Sequence, residues 1–378
     1  MSDGFRVVCI GLGQRLAHVL LHLTRAAPAV TCVAYADPEP AGLARLGRHG
    51  IEPRRYEQPE VMLREVRPDA VMIGSPNHLH QHHLELALAT DARVFCEKPL
   101  VRTEAESFEV ASWLAQEPRD RVVVGLVLRS LPVVRAALDA IRSGRLGAVV
   151  SFEANEHLPP EHGGYLRRDW RRLQRYVGSY LLDKCCHDLD LLNAVAGSRP
   201  RRIASFAGNR IFTPAHAHLD DGVRYRQWPT GWGGEDRVFD ADADTADVQV
   251  LAIAYETGVI GTFHTHTHVV PPRRAWFVAG TEASMEVDLR GGRLDVLPVV
   301  ADPETRSFGD GSVANHSGAD PAMAADLAAT WLEGVPFPVT AREALEAGLT
   351  VMAADRAATT GSVVDLDPLW SRLDALLP

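Results

Sequence analysis

The amino-terminal strand and the glycine-containing turn after it constrain the fold more than any other part of this sequence. Phe5 to Ile10 is a continuous apolar run, typical of a strand buried on both faces of a parallel sheet. Gly11-Leu12-Gly13 follows directly and opens a helical pattern. Gly11 permits a tight turn, and Gly13 lets the backbone approach a diphosphate at the helix amino terminus. Leu16 replaces the third glycine of this pattern, which predicts looser packing of helix against strand. The stretch predicts a dinucleotide-binding βαβ unit.

The residue after the second apolar run indicates which dinucleotide binds. Val30 to Ala36 predicts a second strand, and Asp37 follows it, 24 residues after Gly13. A carboxylate there accepts hydrogen bonds from both ribose hydroxyls of NAD and repels the 2′-phosphate of NADP. Because no Arg or Lys follows until Arg45, NAD is favoured over NADP as the cofactor. The alternative role of Asp37 is that of a turn residue before Pro38.

Length, charge and cysteine usage exclude several classes of protein. The 378 residues suffice for two domains with separate cores. A net charge of −10 argues against a nucleic-acid partner and against binding to anionic membranes. No apolar run approaches the ~20 residues of a membrane span, and a strand pattern beginning by Phe5 leaves no room for a signal peptide. Five cysteines without disulfide or zinc spacing predict a reducing compartment, so we expect a cytoplasmic protein.

Two further buried strands end in polar residues at the same edge of the predicted sheet. The strand from Ala70 to Gly74 leads into the polar run 75–80, and the strand from Val94 to Cys96 leads into Glu97-Lys98-Pro99. The carboxyl edge of a parallel sheet is where α/β proteins bind ligands. A lysine there can hydrogen-bond a reacting hydroxyl. A metal site is disfavoured, because the histidines of this region lie at a strand-to-helix turn without a supporting carboxylate: His78, His80, His82 and His83.

The most informative stretch of the second half is a helix predicted from Ser179 to Gly197. Asp183, His187 and Asp190 fall at i, i+4 and i+7, so they form a polar stripe on one face. The remaining surface is largely Leu, Cys, Ala and Val, which predicts burial. Buried polar groups must be satisfied or functional, so the stripe is either an internally satisfied pair or part of a site.

The rest of the second half alternates between apolar and polar residues as antiparallel strands do. A strand near Val149 to Ala154 precedes a polar, glycine-bearing loop from His157 to Arg172, whose aromatic rings and arginines suit a sugar. The later predicted strands are residues 203–209, 245–255, 258–268 and 274–280. Metal binding by the alternating histidines 264, 266 and 268, or by the aspartates of residues 240–247, is disfavoured because neither group has a defined metal geometry.

These motifs, in this order and spacing, resemble the Gfo/Idh/MocA oxidoreductases, the family of glucose–fructose oxidoreductase and inositol dehydrogenase. They are Gly-x-Gly followed by Arg, the strand-terminal Asp, Ser-Pro-Asn-x-x-His, Glu-Lys-Pro, and Asp-x-x-x-His-Asp behind a glycine. The resemblance covers nearly the whole chain and implies an α/β protein. It implies a doubly wound parallel Rossmann sheet in residues 1–127 and an α+β domain with an open-faced, largely antiparallel sheet in residues 128–378. By analogy it also implies a homodimer or homotetramer.

The motifs and the resemblance together assign candidate site residues. The predicted catalytic residues are Lys98, Asp183 and His187. The predicted cofactor-binding residues are Gly11, Gly13, Gln14, Arg15, Asp37, Ser75, Asn77, His80, Glu97 and Lys98. The predicted substrate-binding residues are Arg129, Tyr165, Arg168, Trp170, Asp183 and His187. A later His-x-Gly-x-Asp stretch, His316 to Asp320, resembles some family members and receives no role.

The resemblance implies hydride transfer between a nicotinamide and a hydroxyl of a sugar, sugar derivative or cyclitol. His187 would act as acid/base and Lys98 as donor to the reacting oxygen, or the reverse, while Asp183 would orient the substrate. Two alternatives remain open: an enzyme that retains NAD and cleaves glycosides by transient oxidation, and a non-catalytic dinucleotide sensor. A sensor has no need of the three acid/base residues together, which weighs against it. The substrate, direction and subunit number are not determined by the sequence.

Overall fold

The structure is a computed structural model that describes residues 4–309 and 318–378. Its strands are β1 Phe5–Ile10, β2 Val30–Ala36, β3 Arg54–Tyr56, β4 Ala70–Ile73, β5 Arg93–Cys96, β6 Val122–Val124, β7 Val149–His157, β8 Pro200–Gly208, β9 Val248–Tyr255, β10 Ile260–His266, β11 Arg273–Gly280, β12 Ala283–Asp288, β13 Arg293–Pro298, β14 Glu304–Ser307 and β15 Val364–Asp365. Its helices are α1 Gln14–Ala26, α2 Leu43–Gly47, α3 Pro59–Val66, α4 His80–Leu88, α5 Glu104–Leu114, α6 Pro132–Arg142, α7 Pro160–Arg168, α8 Gln174–Val177, α9 Tyr180–Ala196, α10 Ala319–Glu333, α11 Ala341–Thr360 and α12 Asp367–Leu376.

The first sheet is parallel throughout, with the order β3-β2-β1-β4-β5-β6. Ile10 at the end of β1 lies opposite Ala36 of β2 and Ile73 of β4. The strand order reverses between β1 and β4, and the carboxyl ends of strands at such a reversal border a ligand-binding crevice. The predicted Rossmann sheet is confirmed.

The departure at Leu16 is compensated by a glycine on a different strand end. A Cβ atom built on Gly74 would lie 2.7 Å from Cβ of Leu16. Gly74, which follows β4, has no side chain and so leaves room for Leu16. A third glycine on α1 would have provided the same room from the helix side. The predicted looser packing does not occur, because Leu16 is fully buried there.

The second sheet has nine strands in the order β14-β13-β12-β11-β7-β10-β9-β8-β15. The pair β7 and β10 is parallel and the other pairs are antiparallel. Alternate residues such as Phe152, Leu251 and Phe263 are buried on one face. The opposite face is open and carries exposed apolar side chains, among them Phe206 and Ile260. The predicted open-faced, largely antiparallel sheet is confirmed.

The chain divides into two compact units, and each unit is built from segments that are not continuous in the sequence. The first contains residues up to Ser130, 319–345 and 375–378, and the second contains residues 131–318 and 346–374. The chain first passes from the first unit to the second after Ser130, close to the predicted boundary at 127/128. The segment 319–345, late in the sequence, nevertheless belongs to the first unit. The reason is packing: Trp331 of α10 stacks on Phe5 at 5.6 Å, and Arg93 donates to the Thr330 carbonyl at 2.7 Å.

The predicted loop from His157 to Arg172 is wrong, because α7 occupies much of it. Gly163 and Gly164 suggested a flexible loop, yet both serve close packing. A Cβ on Gly163 would lie 2.1 Å from the carbonyl oxygen of Thr267, and one on Gly164 would lie 2.6 Å from Cβ of Tyr225. Long-range contact therefore overrides the low helix propensity of glycine in this helix.

Candidate active site

The glycine turn after β1 has the backbone that a dinucleotide diphosphate requires. Gly11 adopts φ 79°, and a Cβ there would lie 2.4 Å from the backbone nitrogen of Ser75. Gly13 precedes α1, and a Cβ on it would meet nothing within 4 Å. The first glycine is thus required by packing between two strand ends, whereas the second leaves the helix amino terminus open. These residues fit a bound dinucleotide.

Asp37 is held beside this turn by backbone hydrogen bonds. Its Oδ2 accepts from the N–H of Leu12 at 2.5 Å, and its Oδ1 accepts from the N–H of Glu39 at 2.7 Å. A carboxylate oxygen can accept more than one hydrogen bond, so both oxygens retain capacity for ribose hydroxyls. Gln14 is anchored nearby, since its Nε2 donates to the Ala41 carbonyl at 2.6 Å.

Glu97 and Arg15, both predicted cofactor residues, form an ion pair. Arg15 Nε lies 3.0 Å from Glu97 Oε1, and the same guanidinium pairs with Asp320 of α10. Burial alone would lower the pKa of Arg15, but the charges of Glu97 and Asp320 raise it overall. Lys98 donates its backbone N–H to Glu97 Oε2 at 3.3 Å, and its peptide bond to Pro99 is cis. Asp320 therefore supports the segment that carries Lys98. His316, from the same predicted motif, lies outside the described residues.

His80 connects the two polar strand ends of the first unit. The buried imidazole has Nδ1 2.7 Å from the Pro99 carbonyl oxygen and Nε2 2.8 Å from the Ser75 carbonyl oxygen. Its pKa is lowered by burial. Ser75 is held further by His83, whose Nδ1 lies 2.8 Å from Ser75 Oγ, and Asn77 is buried in the short turn between them. His80 thus fixes the position of the segment that follows Lys98.

Helix α9 of the second unit begins and ends where its sequence predicts. Ser179 caps it by accepting a hydrogen bond from the N–H of Leu182 at 2.9 Å, and Gly197 ends it in the left-handed conformation. Asp183, His187 and Asp190 are all buried, at 5%, 5% and 2% exposure. The predicted polar stripe therefore lies almost entirely out of solvent.

Arg171 gathers the polar groups around Asp183. Its Nε lies 3.3 Å from Asp183 Oδ2, and its Nη1 donates to Asp169 Oδ1 at 2.7 Å and to the Tyr165 hydroxyl at 2.8 Å. The guanidinium also lies 4.2 Å from the ring centroid of Trp170. Burial alone would lower the pKa of Arg171, but Tyr165 and the two carboxylates raise it overall.

Arg171 and Asp183 also border a narrow cleft in the second unit, next to Tyr165. Burial raises the pKa of the Tyr165 hydroxyl to about 12, so the phenol is protonated at neutral pH and can donate. The other polar side chains that line the cleft with Arg171 and Asp183 are Arg167, Tyr180, Thr245 and Thr267. The arrangement places several hydrogen-bond donors and acceptors around one carboxylate.

Comparison with known proteins assigns these residues to a family. Residues 5–126 match the oxidoreductase family with an NAD-binding Rossmann fold, and residues 134–286 match the GFO/IDH/MocA C-terminal domain. The chain belongs to the Gfo/Idh/MocA family of oxidoreductases. The resemblance predicted from the sequence is confirmed, and with it the class of an NAD-binding oxidoreductase.

The relatives of this Gfo/Idh/MocA protein include enzymes of inositols and sugars. A Bacillus subtilis protein named as an oxidoreductase, YteT, is 26% identical over 153 residues, covering 40% of this chain; the chain spans only 36% of YteT. Scyllo-inositol 2-dehydrogenase (NAD(+)) of Bacillus subtilis is 25% identical over 279 residues, 71% of this chain and 77% of that protein. Levoglucosan dehydrogenase, solved with NADH and levoglucosan, has the same fold with a TM-score of 0.77 at 19% identity, covering 96% of this chain and 100% of that chain.

Two predicted substrate residues of this family member make contacts apart from the Asp183 group. Arg168 donates from Nη1 to the Tyr225 carbonyl at 3.1 Å and approaches Asp236 at 3.8 Å. Arg129 belongs to the first unit and lies 3.4 Å from Glu343. The structure therefore gives both arginines packing partners, and it does not bring Arg168 into the group around Arg171.

Sequence reasoning missed Arg171 because it lies in a run of five arginines among residues 167–175. The pattern predicted a local anion or sugar site there but did not separate one arginine from another. The position of Asp183 could not help, since the two residues are twelve apart in the chain and meet only when α8 and α9 have folded. Tyr165 and Trp170 contact Arg171 in the structure, but in the sequence they flank Arg167 and Arg168, so the aromatic residues did not indicate it either.

A buried ionic network fixes α9 against the sheet. Arg274 donates to both oxygens of Asp188, at 2.8 and 2.6 Å, and lies 3.1 Å from Glu156. Lys184 approaches Glu156 at 3.9 Å. Lys184 thus approaches a carboxylate of the sheet strand β7. The network orients the helix that carries Asp183 and His187.

The histidine and aspartate groups that suggested a metal have other partners. His268 lies 2.9 Å from the Tyr225 hydroxyl, and His264 packs edge-on against His157. Asp247 accepts from three consecutive backbone N–H groups, those of residues 210–212. Across residues 4–309 and 318–378, no group of three or more His, Cys, Asp or Glu side chains is arranged to hold a metal ion. No helix in this part of the chain could cross a membrane.

Proposed function

We propose that this protein is an NAD-dependent dehydrogenase that transfers hydride between the nicotinamide and a hydroxyl-bearing carbon of a sugar, sugar derivative or cyclitol. The observation that carries the proposal is the buried stripe of Asp183 and His187, with Asp183 paired to Arg171, in a chain with an open dinucleotide turn. Burying an ionisable group costs free energy unless it is paired or hydrogen-bonded, and buried ionisable groups are frequent at functional sites. Proton transfer at a hydroxyl is a function that such groups can serve.

The proposed roles follow from the needs of the reaction. A carbinol carbon gives up hydride only if its hydroxyl proton leaves as the carbonyl forms. His187 accepts that proton, and Lys98 donates a hydrogen bond to the reacting oxygen, although the two residues could exchange these roles. Asp183 orients the substrate through a neighbouring hydroxyl. The bound nicotinamide supplies the hydride acceptor, and the protein supplies position.

The proposed substrate class rests on the polar side chains around Arg171. Tyr165 and Arg171 can donate hydrogen bonds to ring hydroxyls, and the buried ring of Trp170 backs the guanidinium. A polyhydroxylated ring suits such a mixture of donors, acceptors and aromatic surface. Relatives named for scyllo-inositol and levoglucosan support the same class. Arg129 and Arg168 remain proposed contacts of the substrate.

The proposed cofactor is NAD rather than NADP, because Asp37 presents a negative charge beside the glycine turn. The remaining proposed contacts of the cofactor are the residues around the turn and the two strand ends: Gly11, Gly13, Gln14, Arg15, Ser75, Asn77, His80, Glu97 and Lys98. We further propose a cytoplasmic homodimer or homotetramer. The five free, buried cysteines and the exposed apolar residues of the open sheet face, such as Phe206, support this. Sedimentation of the purified protein would give the subunit number.

The experiment that tests the proposal follows NADH absorbance on mixing purified protein with NAD, or separately NADP, across a panel of sugars and cyclitols. We expect reduction of NAD with some member of the panel. Lys98→Ala and His187→Ala should each lower kcat by at least about a hundredfold, the usual contribution of general acid–base catalysis. His218→Ala, which removes an exposed histidine, is the matched control and should leave the rate unchanged.

Tight NAD binding without reduction of any substrate would contradict the dehydrogenase proposal. A glycoside panel would then distinguish the two alternatives. Release of an aglycone would identify cleavage through transient oxidation, whereas NAD binding without any turnover would identify a sensor.

A further inference from the structure

A groove on the surface of the first unit is lined almost entirely by basic side chains. It lies between α1 and α2, and the apolar side chain of Leu21 forms part of its floor. The other lining residues are all arginine or histidine: His18, His22, Arg25, Arg45, Arg48 and His49. The chain as a whole carries a net charge of −10, so three arginines around one groove are a local departure from its overall charge.

The arginines of the groove have no acidic partners. Within the described part of the chain, Arg25, Arg45 and Arg48 form no ion pair with any carboxylate. Arg45 Nη1 lies 3.1 Å from His18 Nδ1, and the opposite ring nitrogen of His18 lies 3.4 Å from Asp320. This contact occupies one of the five N–H donors of the Arg45 guanidinium. Most of the guanidinium donors therefore remain available to a ligand.

The electrostatics of the groove favour an anion. The pKa of His22 is lowered by burial first and then by the neighbouring basic side chains of His18 and Arg25, while Asp320 opposes them. Among the described residues no carboxylate pairs with Arg25, Arg45 or Arg48, so their positive charges repel one another, and an anion at their centre would relieve that repulsion. Arginine guanidinium groups bind phosphate oxygens in a bidentate manner, so several arginines around one groove match the oxygens of a phosphate better than a single carboxylate.

The groove is separate from the dinucleotide turn. His22 and Arg25 lie on the last two turns of α1, whereas the diphosphate of a dinucleotide would bind at its first turn, near Gly13. At 1.5 Å per residue, His22 lies roughly 13 Å along the helix from Gly13. Asp37, which marks the ribose position, does not line the groove.

We infer that this groove binds the phosphate groups of a small phosphorylated molecule, at a site distinct from the dinucleotide site. Arg45 of α2 and Arg48, which directly follows α2, supply paired donors, and Arg25 and His22 complete the site from α1. The apolar surface of Leu21 accommodates the uncharged part of the ligand. Nothing in the proposed dehydrogenase reaction requires this site, so the inference stands whether or not that reaction is correct.

The test is calorimetric titration of the full-length protein, first saturated with NAD, using inorganic pyrophosphate as the probe. NAD occupies the first turn of α1, so binding of pyrophosphate then reports on the groove. We expect saturable binding, and we expect the double variant Arg45→Gln/Arg48→Gln to weaken it by about tenfold or more, because charge-assisted hydrogen bonds are lost. The affinity of the variant for NAD should be unchanged.

The matched control is Arg64→Gln/Arg119→Gln, which removes two exposed arginines elsewhere on the same unit and should leave pyrophosphate affinity as it is. Equal pyrophosphate affinity of wild type and Arg45→Gln/Arg48→Gln would overturn the inference. A further arm replaces NAD with NADP. If pyrophosphate binds to the protein saturated with NAD but not to the protein saturated with NADP, the groove receives the 2′-phosphate of the cofactor. In that case the inference of a distinct site is wrong.

Discussion

Arg171 is the residue on which the polar group of the second unit depends. It joins Asp183, Asp169 and Tyr165 through one guanidinium group and packs on Trp170. Without the positive charge of Arg171, the buried carboxylates of Asp169 and Asp183 would lose a cation that both of them contact. The contact with Asp183 at 3.3 Å therefore holds the position of that carboxylate.

Removing this guanidinium tests its effect on Asp183. In Arg171→Met we expect kcat/KM to fall about tenfold or more, because the orienting carboxylate loses its cation. Arg175→Met removes an exposed arginine of the same run and should leave kcat/KM unchanged. An unchanged kcat/KM in Arg171→Met would contradict this role.

Asp37 acts both on the fold and on cofactor choice, and an isosteric substitution separates these effects. With its oxygen in the place of Oδ2, Asn can still accept the hydrogen bond from the Leu12 N–H, but its NH2 group cannot accept the one from the Glu39 N–H, and the side chain carries no charge to repel a phosphate. We therefore expect Asp37→Asn to weaken NAD binding by about tenfold and to strengthen NADP binding, with a loss of stability of about 1 kcal/mol from the missing hydrogen bond. Fluorescence titration with both cofactors measures this. Unchanged preference for NAD over NADP would mean that Asp37 is only a turn residue.

At the scale of a single element, α7 carries two glycines that tertiary packing requires. In Gly163→Ala the added methyl group would meet the Thr267 carbonyl oxygen, so part of the helix must move. We expect the free energy of unfolding to fall by about 1–3 kcal/mol, the usual cost of overpacking. Urea unfolding followed by circular dichroism measures the change.

Gly47→Ala is the opposite control, since a Cβ there meets nothing within 4 Å and the residue ends α2 without a left-handed conformation. Alanine should be neutral or stabilise by up to about 1 kcal/mol. Equal effects of the two substitutions would mean that the contact at Gly163 relaxes without cost.

At the scale of the whole chain, segments distant in sequence complete each unit. Helix α10 returns to the first unit, and α11 supplies Asp355 to the second. Gln249 of β9 donates to Asp355 at 3.1 Å, and burial raises the pKa of Asp355 from 3.8 to about 6. This carboxyl therefore influences how stability depends on pH.

The sign of that effect follows from the direction of the pKa shift. Because the folded protein holds the Asp355 proton more tightly than the unfolded chain, its contribution to stability is complete below pH ~4 and is lost as the pH rises to about 6. In Asp355→Asn that loss is absent. We expect the difference in urea midpoint between pH 4 and pH 6.5 to be smaller in the variant than in the wild type. An identical difference would show that Asp355 is ionised throughout this range.

Much of the fold and part of the candidate site could be predicted from local sequence. The bounds of β1 and β2 agree with the apolar runs, and α9 begins after Ser179 and ends before Gly197 as its caps indicate. Glycine and serine at such positions act on the adjacent backbone, so their effect does not depend on distant residues. The burial of Asp183 and His187 followed from the apolar surroundings of their helix.

The sequence by itself determined the parallel sheet with its glycine turn and the polar stripe of α9, because periodicity and backbone requirements are local properties. Only the tertiary structure decided that α7 is a helix, that α10 belongs to the first unit, and that Arg171 is the arginine at Asp183. Each of these depends on contacts between residues far apart in the chain. Such contacts select among conformations that local preferences leave close in energy, and no short pattern records the outcome.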